Sequence, residues 1–430
     1  MLDRKNELFK ANEYLIEECR LSSPNGASLD LTNHFDTIDI FENLFENFLT
    51  ARISLVEGIN LAQHMPLMGQ ETVDITFFTP GFPKCKLSLM VDGISTRISD
   101  KSQKMQRYTI ELVSKSHFYD IQKRVSKAYE GKVSEIVERI FKEYVSEDKV
   151  IVTEKTLDTH KFVIPNWKPF SAINWLSKRA ISEKNTKVSN YRFFETIDAN
   201  YFVSLSKLME NDTQQEYRFD PAGTVVQESG ARDILRELKN IEAYTIKPSS
   251  ERAEQMKRGM FSGRILTHDL IGKTVTEKKF NYNEHFEETP SIEKHKPIST
   301  AMGAVNSSDS SFLRVQPKHT YKYDDIRDNE KTEDFVLERN SLMTQLLFGQ
   351  GLDLIVPGDS RRRVGDIVDV RLPSTEPVGT MKQWYDASVS GKYMITQIRH
   401  AITNKDYKLF LELRRESVET PYPDTKTMNI

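Results

Sequence analysis

Histidine and cysteine, the side chains that most often bind metals or act as nucleophiles, are not clustered in this chain. The two cysteines, Cys19 and Cys85, are too few for a cysteine-based zinc site. None of the nine histidines forms an HxH or HExxH motif: His34, His64, His117, His160, His268, His285, His295, His319 and His400. His285 and His295 lie in a polar stretch, where solvated side chains are expected. The pattern predicts no metal site and no cofactor site.

Other catalytic motifs are missing as well. The sequence has no GxSxG nucleophile elbow and no GxxxxGK[ST] or GxGxxG phosphate loop. GQGLDL at 349–354 contains a GxG, but it follows a predicted helix and enters a predicted strand, the reverse of the order in phosphate-binding loops. A glycosidase needs two carboxylates beside a cleft, and none of the 63 acidic residues stands out. We therefore predict no catalytic residues and no enzymatic activity.

Arg361, Arg362 and Arg363 form the one basic run that could bind a partner. The run falls in a turn between two predicted strands. One interpretation is an exposed loop that keeps a sheet edge soluble. The other is a contact with an acidic partner surface, since arginine makes directed bonds to carboxylates.

Composition limits the function classes further. With 60 basic and 63 acidic residues, the chain has a net charge of -3 and lacks the basic excess of a dedicated nucleic-acid binder. No apolar stretch is long enough to span a membrane, and the N-terminus has no secretory signal. Two cysteines favour free buried thiols in a reducing compartment, with a single bridge as the alternative. We expect a protein of the soluble phase.

The N-terminal part has the period-two pattern of β-strands. ARISLVEGINLAQ, ETVDITFFTP, CKLSLMVDGISTRI and QRYTIELVSK each alternate apolar and polar residues. Pro80, Gly81 and Pro83 interrupt the pattern between strands. An antiparallel sheet or barrel is predicted here.

From about residue 116 the period becomes helical. KVSEIVERIFKEYV places an apolar stripe on one helix face, and KPFSAINWLSKRAI predicts a second helix, with Trp167 and Trp175 in the core. NYRFFETIDANYFVSLSKL predicts a hairpin around Asp198 and Asn200. Residues 116–214 are thus expected to form a small α+β unit.

The chain then returns to β structure. ARDILRELKNI predicts a short helix, and GRILTHDLI and TVTEKKFNY predict strands. Residues 280–333 are polar and predict a surface insertion or an arm, followed by a helix that ends at Gly349. LDLIVPG, VGDIVDVRLP, KYMITQIRHAI and DYKLFLELRRE predict the last strands, the final two joined as a hairpin across TNKD.

The two β regions resemble each other. VDITFF in the first and VDVRLP in the second are each followed by a proline-containing loop, a long strand, a polar connection and a strand, YTIELVS or YKLFLEL. The spacing from Asp74 to Tyr108 is close to that from Asp369 to Tyr407. Two β meanders can look alike by chance, so duplication and coincidence both remain open at this point.

Two segments resemble baseplate central hub proteins of contractile-tailed bacteriophages. In 38–80 the resemblance rests on an acidic-aromatic entry and on two turns that contain Asn60, Leu61, Pro66, Gly69 and Glu71. In 343–374 and 390–417 it rests mainly on the strand SGKYMITQIRHAI. The middle of the chain, 116–333, matches in layout alone.

The resemblance implies a structural subunit with two tail-tube-like β-barrel domains. Three chains would form a ring with pseudo-six-fold symmetry that joins a trimeric spike to the hexameric tail tube.

The implied partners are two further copies, a spike or needle protein and tail-tube or tube-initiator proteins, with tape-measure and baseplate wedge proteins as further candidates. Membrane insertion and sequence-specific nucleic-acid binding are not implied. The implied location is the virion tail baseplate, after synthesis in the host cytoplasm. Because no glycine-rich β-helix repeat follows the last strand, we expect the spike to be a separate protein.

The expected fold class is α+β and mainly antiparallel β. The expected domains are an N-terminal segment (1–23), a first tube-like barrel (24–115), an α+β connecting domain (116–214) and a second barrel (215–430) with an insertion at about 280–340. Two other functions stay open: a hub of a type VI secretion-like injection machine, and a tail-associated cell-wall hydrolase. A receptor-binding adhesin is a weaker fourth possibility.

Overall fold

A computed structural model of the chain describes residues 7–58, 67–99, 105–146, 149–220, 233–247, 252–270, 272–296, 312–317, 332–374 and 385–420. Strands predominate, most of them in antiparallel pairs, and most of the helices between them are short. The predicted class, α+β with mainly antiparallel β structure, is confirmed.

The first β unit comprises seven strands: β1 (Leu15–Ser22), β2 (Ser28–Asp30), β3 (Phe35–Asn43), β4 (Thr50–Glu57), β5 (Thr72–Phe78), β6 (Cys85–Ser99) and β7 (Gln106–Ser114). The alternation predicted from the sequence places one face of each strand in the core. Ile53 of β4 lies opposite Ile110 of β7, and Leu55 lies opposite Tyr108. All four side chains are buried.

An α+β unit follows: α1 (Lys115–Gln122), β8 (Val125–Lys132), α2 (Val133–Ile140), β9 (Ile151–Thr153), β10 (Thr159–Trp167), α3 (Pro169–Ser177), β11 (Tyr191–Glu195), β12 (Asn200–Ser204) and α4 (Leu205–Met209). The predicted stripe on α2 is buried and packs on α3. The predicted hairpin is β11–β12. Trp167 and Trp175 pack edge to face against this core, as predicted, with ring centroids 5.4 Å apart.

The remaining elements are β13 (Thr213–Arg218), α5 (Ile234–Glu237), β14 (Ala243–Lys247), α6 (Arg252–Lys257), β15 (Ser262–Asp269), β16 (Thr274–Asn281), α7 (Tyr282–His285), β17 (Leu313–Pro317), α8 (Thr332–Phe348), β18 (Gly351–Pro357), β19 (Ile367–Arg371), β20 (Gly391–Thr403) and β21 (Tyr407–Arg414). We call β13, β14 and β18 to β21 the second β unit. The predicted helix ending before Gly349 and the predicted hairpin β20–β21 are both present.

The described parts of the polar stretch 280–333 pack on the body of the protein. The backbone N–H of Ile292 donates to the buried carboxylate of Glu416 at 2.7 Å. His295 forms backbone hydrogen bonds in both directions with Val418. His285 was expected to be solvated, and this expectation is wrong: its ring packs against Phe280 with centroids 5.3 Å apart. Phe280 lies on β16, and the polar composition of the stretch does not indicate this contact.

The two β units are joined into one 13-stranded sheet by the pairing of β3 with β20. Each unit was expected to form a barrel. Within the residues that the structure describes, neither strand set closes on itself. The sheet instead continues from one unit into the other, because the edge strand β3 of the first unit hydrogen-bonds to β20 of the second.

Both β units have the same strand order. The first runs β1-β5-β6-β7-β4-β3, and the second runs β13-β19-β20-β21-β18-β14. They differ at one end, because β1 is antiparallel to β5 whereas β13 is parallel to β19. A register shift occurs at the same place in each: after Val91, opposite Leu112, in β6, and after Ile395, opposite Leu413, in β20. The repeat suggested by the sequence is therefore present in the topology.

One hydrophobic core runs through both β units, from Ile53 in β4 to Leu411 in β21. A separate core lies inside the α+β unit. Cys19 and Cys85 are buried free thiols, as predicted. In the described part of the chain, no helix is long and apolar enough to cross a membrane.

Candidate functional site: the seam between the two β units

The seam is the antiparallel ladder between β3 and β20. It pairs seven residues, from Gln397 opposite Asn43 to Thr403 opposite Thr37. Ile40 and Ile398 are buried at the seam. On its open face, Arg399 donates to both carboxylate oxygens of Asp39, at 2.9 and 3.0 Å. The seam thus combines backbone pairing, apolar burial and a bidentate ion pair, and it fixes one β unit against the other.

A buried polar cluster lies beneath the seam. We call it the junction cluster, and it consists of the buried residues Glu42, Arg363, His400 and Tyr407 together with Asp198, whose side chain is half exposed at its edge. These residues come from β3, the β11–β12 turn, the β18–β19 loop, β20 and β21. The cluster therefore joins both β units and the α+β unit at one point.

Arg363 makes most of the cluster's contacts. Its guanidinium donates to Asp198 at 2.6 and 2.7 Å and to the backbone carbonyls of Ser360 and Arg362 at 2.8 and 2.7 Å. It also lies 3.4 Å from the sulfur of Cys85 in β6. Burial disfavours the charged guanidinium, but the nearby carboxylates of Glu42 and Asp198 offset this and raise the pKa of Arg363. The arginine is therefore held as a cation inside the fold.

Glu42 is the buried anion of the cluster. Its carboxylate accepts hydrogen bonds from the backbone N–H groups of Ile197 and Val364, both at 3.1 Å. Arg363 lies 3.9 Å away and His400 lies 3.8 Å away. A buried carboxylate needs such partners, because an unpaired charge in the interior is costly. Glu42 thus ties β3 to a turn of the α+β unit and to the β18–β19 loop.

His400 and Tyr407 complete the cluster. Nδ1 of His400 lies 2.7 Å from the hydroxyl of Tyr407, and Phe77 packs edge-on against the tyrosine ring with centroids 5.8 Å apart. Burial lowers the pKa of His400, and Glu42 opposes this shift. Burial also raises the pKa of Tyr407. Both side chains are therefore neutral near pH 7 and serve as packed hydrogen-bonding groups.

The arginine run 361–363 does not form an exposed loop. This expectation is wrong for Arg362 and Arg363, which are buried, and Arg361 is the one of the three whose side chain stays 40% exposed. Arg361 stacks on Phe82 at 3.7 Å and pairs with Asp359. Arg362 lies 3.5 Å from Asp359 and 3.3 Å from Asp366. The run is drawn inward because carboxylates surround it.

Two of the four carboxylates around the arginine run could have been predicted from the sequence, and two could not. Asp359 and Asp366 flank the arginine run, and a signal for local pairing was available there. Glu42 and Asp198 lie 321 and 165 positions from Arg363, so no spacing rule could have connected them. Burial raises the pKa of Asp366 to about 6, against the opposing charge of Arg362.

The turn that carried part of the family resemblance has a clear physical role. Gly69 has a φ of +85°, which favours glycine. The carboxylate of Glu71 accepts from the backbone N–H groups of Met68, Gly69 and Gln70 at 2.9 to 3.1 Å. Burial acts to raise the pKa of Glu71, but these hydrogen bonds lower it. Asn60, Leu61 and Pro66 of the same motif lie outside the described residues.

A cleft of about 790 Å³ runs along the open face of the seam. Its basic side chains are paired with acidic ones: Arg52 with Glu111 at 2.7 Å, and Arg399 with Asp39. Lys247 on β14 lies 2.9 Å from Asp353 and 3.0 Å from Glu412. Among the described residues, no group of three or more His, Cys, Asp and Glu is placed to hold a metal ion. The cleft thus has the features of a charged sheet surface.

The sequence and the fold are similar to those of known tail and baseplate proteins. No protein-family model matches the chain. Over 410 residues, 90% of each chain, it is 20% identical to a probable baseplate hub protein of Vibrio phage KVP40. A tail protein from Neisseria meningitidis MC58 has a similar fold, with a TM-score of 0.54, 10% identity and coverage of 94% of this chain and 97% of that one. The 43 kDa tail protein of prophage MuSo2 from Shewanella oneidensis is similar too, with a TM-score of 0.53, 9% identity and coverage of 94% and 99%.

The two kinds of comparison agree. The sequence match covers nearly the whole of both proteins, and the structural matches extend over both β units and the region between them. The resemblance predicted from the sequence is confirmed: the chain is similar over most of its length to a probable phage baseplate hub protein, and it has the fold of phage tail proteins.

Proposed function

We propose that this chain is the hub subunit of a contractile phage tail. Three copies form a ring of six β units, and the ring joins a trimeric spike to the hexameric tail tube. The observation that carries the proposal is the shared strand order of the two β units, because two similar units per chain turn a three-fold assembly into a pseudo-six-fold one. The related protein of Vibrio phage KVP40, named as a probable baseplate hub, supports it.

The junction cluster suits this role. A ring that transmits load between a spike and a tube needs its two β units to move together. The seam joins them through backbone pairing, and the buried guanidinium of Arg363 lies 3.9 Å from the buried carboxylate of Glu42 on β3. In the proposed hub, the buried pair of Arg363 and Glu42 favours one relative orientation of the two β units, which is what a symmetry adaptor requires.

The proposal includes a structural and non-enzymatic role in the virion baseplate. The names of the relatives, hub and tail proteins, support this. Arg361, whose side chain is 40% exposed, is proposed as a contact to an acidic partner surface. A zymogram on cell-wall material in which the purified chain clears the substrate would contradict the non-enzymatic part.

Light scattering tests the assembly state. The chain mass is 49.8 kDa, so a trimer has a mass of about 150 kDa. We expect a trimer for the chain alone or on addition of the spike protein encoded with it. A chain that stays monomeric in both conditions, up to the highest soluble concentration, would rule out the ring.

A further inference from the structure

The internal repeat identifies two strand edges that correspond to the seam. In the repeat, β6 occupies the place of β20, and β14 occupies the place of β3. The seam joins the distal half of β20 to the outer edge of β3. Within the residues that the structure describes, the distal half of β6 (92–99) and the outer edge of β14 pair with no further strand. Each chain thus presents both halves of a second seam.

The apolar residues at the equivalent positions are more exposed than those at the seam, as expected where no strand pairs with them. Ile40 of β3 and Ile398 of β20 are 0% and 1% exposed at the seam. Their counterparts, Ile246 of β14 and Ile94 of β6, are 45% and 37% exposed. Ile98, further along β6, is 58% exposed. Exposed apolar residues along an open strand edge invite pairing with another chain.

We propose that β14 of one copy pairs antiparallel with the distal half of β6 of a second copy, and that this pairing repeats the internal seam between chains. This inference rests on the proposed hub function and adds the surface that closes the ring. The contact is head-to-tail, because the two edges belong to different parts of the chain. Such contacts close into a ring when the rotation between copies is a simple fraction of a turn. Three copies then give six seams, three internal and three between chains.

The internal seam fixes the register of the proposed one. Arg399 lies opposite Phe41 at the seam. Arg399 pairs with Phe410 in β21 as Ser95 pairs with Thr109 in β7, so Ser95 takes the place of Arg399. Phe41 pairs with Thr50 in β4 as Lys247 pairs with Gly351 in β18, so Lys247 takes the place of Phe41. The register therefore places Ser95 of one copy opposite Lys247 of the next.

A disulfide between these positions tests the pairing. Directly opposite residues in antiparallel strands have Cα atoms about 4.5 to 5.5 Å apart, within the range that a disulfide bridges. Under mild oxidation, the double variant Ser95→Cys with Lys247→Cys is expected to give a covalent trimer on a non-reducing gel. Each single variant is expected to stay uncoupled, because like positions do not meet in a head-to-tail contact. The two native thiols are buried, which limits their interference.

A register control uses the same strands. In the double variant Ser95→Cys with Ala243→Cys, the second cysteine lies four residues along β14, about 13 Å from the paired position. It is expected not to cross-link. Equal cross-linking in both double variants would overturn the proposed register and with it the inference.

A second measurement does not depend on disulfide chemistry. Ile246→Lys is expected to weaken trimer formation at least tenfold in light scattering, because it places a charge in the proposed seam. Val275→Lys, on β16 and 66% exposed, is the matched control and is expected to leave the trimer unchanged. A trimer that lacks the Ser95–Lys247 cross-link and is insensitive to Ile246→Lys would overturn this inference and leave the hub function standing. A chain that remains monomeric throughout would overturn both.

Discussion

Arg363 holds Asp198 by two hydrogen bonds of 2.6 and 2.7 Å, and this pair connects the β18–β19 loop to the turn of the β11–β12 hairpin. The two residues belong to different units of the fold. The same guanidinium balances Glu42, whose carboxylate is fully buried. Arg363 therefore controls the electrostatics of the junction cluster, and its removal leaves a buried anion with weaker compensation.

Replacing Arg363 should destabilise the whole protein strongly. Arg363→Met keeps much of the side-chain volume but removes the charge, and breaking a buried pair in this way costs about 3–5 kcal/mol. Chemical denaturation monitored by far-UV circular dichroism gives the free energy of unfolding. Arg361→Ala is the matched control, and a cost of about 1 kcal/mol or less is expected because its ion pair is partly exposed. Equal losses in the two variants would contradict the role of the junction cluster.

Asp366 should make stability depend on pH. Burial raises its pKa from an ordinary value of 3.8 to about 6, so the folded state binds this proton more tightly than the unfolded state. The free-energy cost of ionising Asp366 in the folded state is absent below about pH 4 and grows as the pH rises through 6. Because one pKa unit corresponds to about 1.4 kcal/mol, the penalty reaches about 3 kcal/mol.

The variant Asp366→Asn isolates this contribution. Its free energy of unfolding should match that of the natural chain near pH 4 and exceed it by about 2–3 kcal/mol at pH 7.5, since the amide stays neutral. Denaturation curves at several pH values give the difference. A difference that stays constant from pH 4 to 7.5 would show that the carboxyl does not titrate in this range.

Gly358 should not tolerate a side chain. A Cβ atom at this position would lie 2.1 Å from a ring carbon of Tyr407, whose ring is buried and is held by His400 and Phe77. Gly358→Ala forces the backbone or the ring to move, and overpacking of this kind costs about 1–3 kcal/mol. Thermal unfolding checks the expected loss, and the double variant Gly358→Ala with Tyr407→Leu should recover part of it by opening space.

Eight strands of the two β units were predictable because their apolar residues alternate. β4 to β7 and β18 to β21 were all found this way. β3 was not predicted as a strand although Ile38 and Ile40 alternate, because its residues were considered only as the acidic-aromatic entry of the segment that resembles hub proteins. The β8–β10 pair was missed because β8 alternates weakly, with only Val125 and Tyr129 buried.

The seam itself was beyond sequence reasoning. Antiparallel pairing between β3 and β20 joins residues more than 350 positions apart, and a periodic pattern states which face is buried but not which strand lies alongside. The internal repeat could have helped to predict the seam. Because β6 and β20 are equivalent strands in the repeat, each is expected to have an equivalent neighbouring strand. The inward turn of Arg362 and Arg363 depends on the same long-range folding.

The two native thiols should report on global unfolding. Burial raises the pKa of Cys19 to about 12 and that of Cys85 to about 11, so almost no thiolate is present at pH 8, where a free thiol with a pKa of about 8.5 is partly ionised. Neither thiol should react with a disulfide reagent in the native state. In denaturant both should react at once, and the rate near the transition should follow the fraction unfolded.

The variant Ser95→Cys is the positive control, because its thiol is partly exposed on β6 of an unassembled chain and should react immediately. Rapid native reaction of Cys85 with Arg363 intact would show that the junction cluster opens locally, whereas rapid reaction confined to Arg363→Met would show that this guanidinium keeps the junction closed.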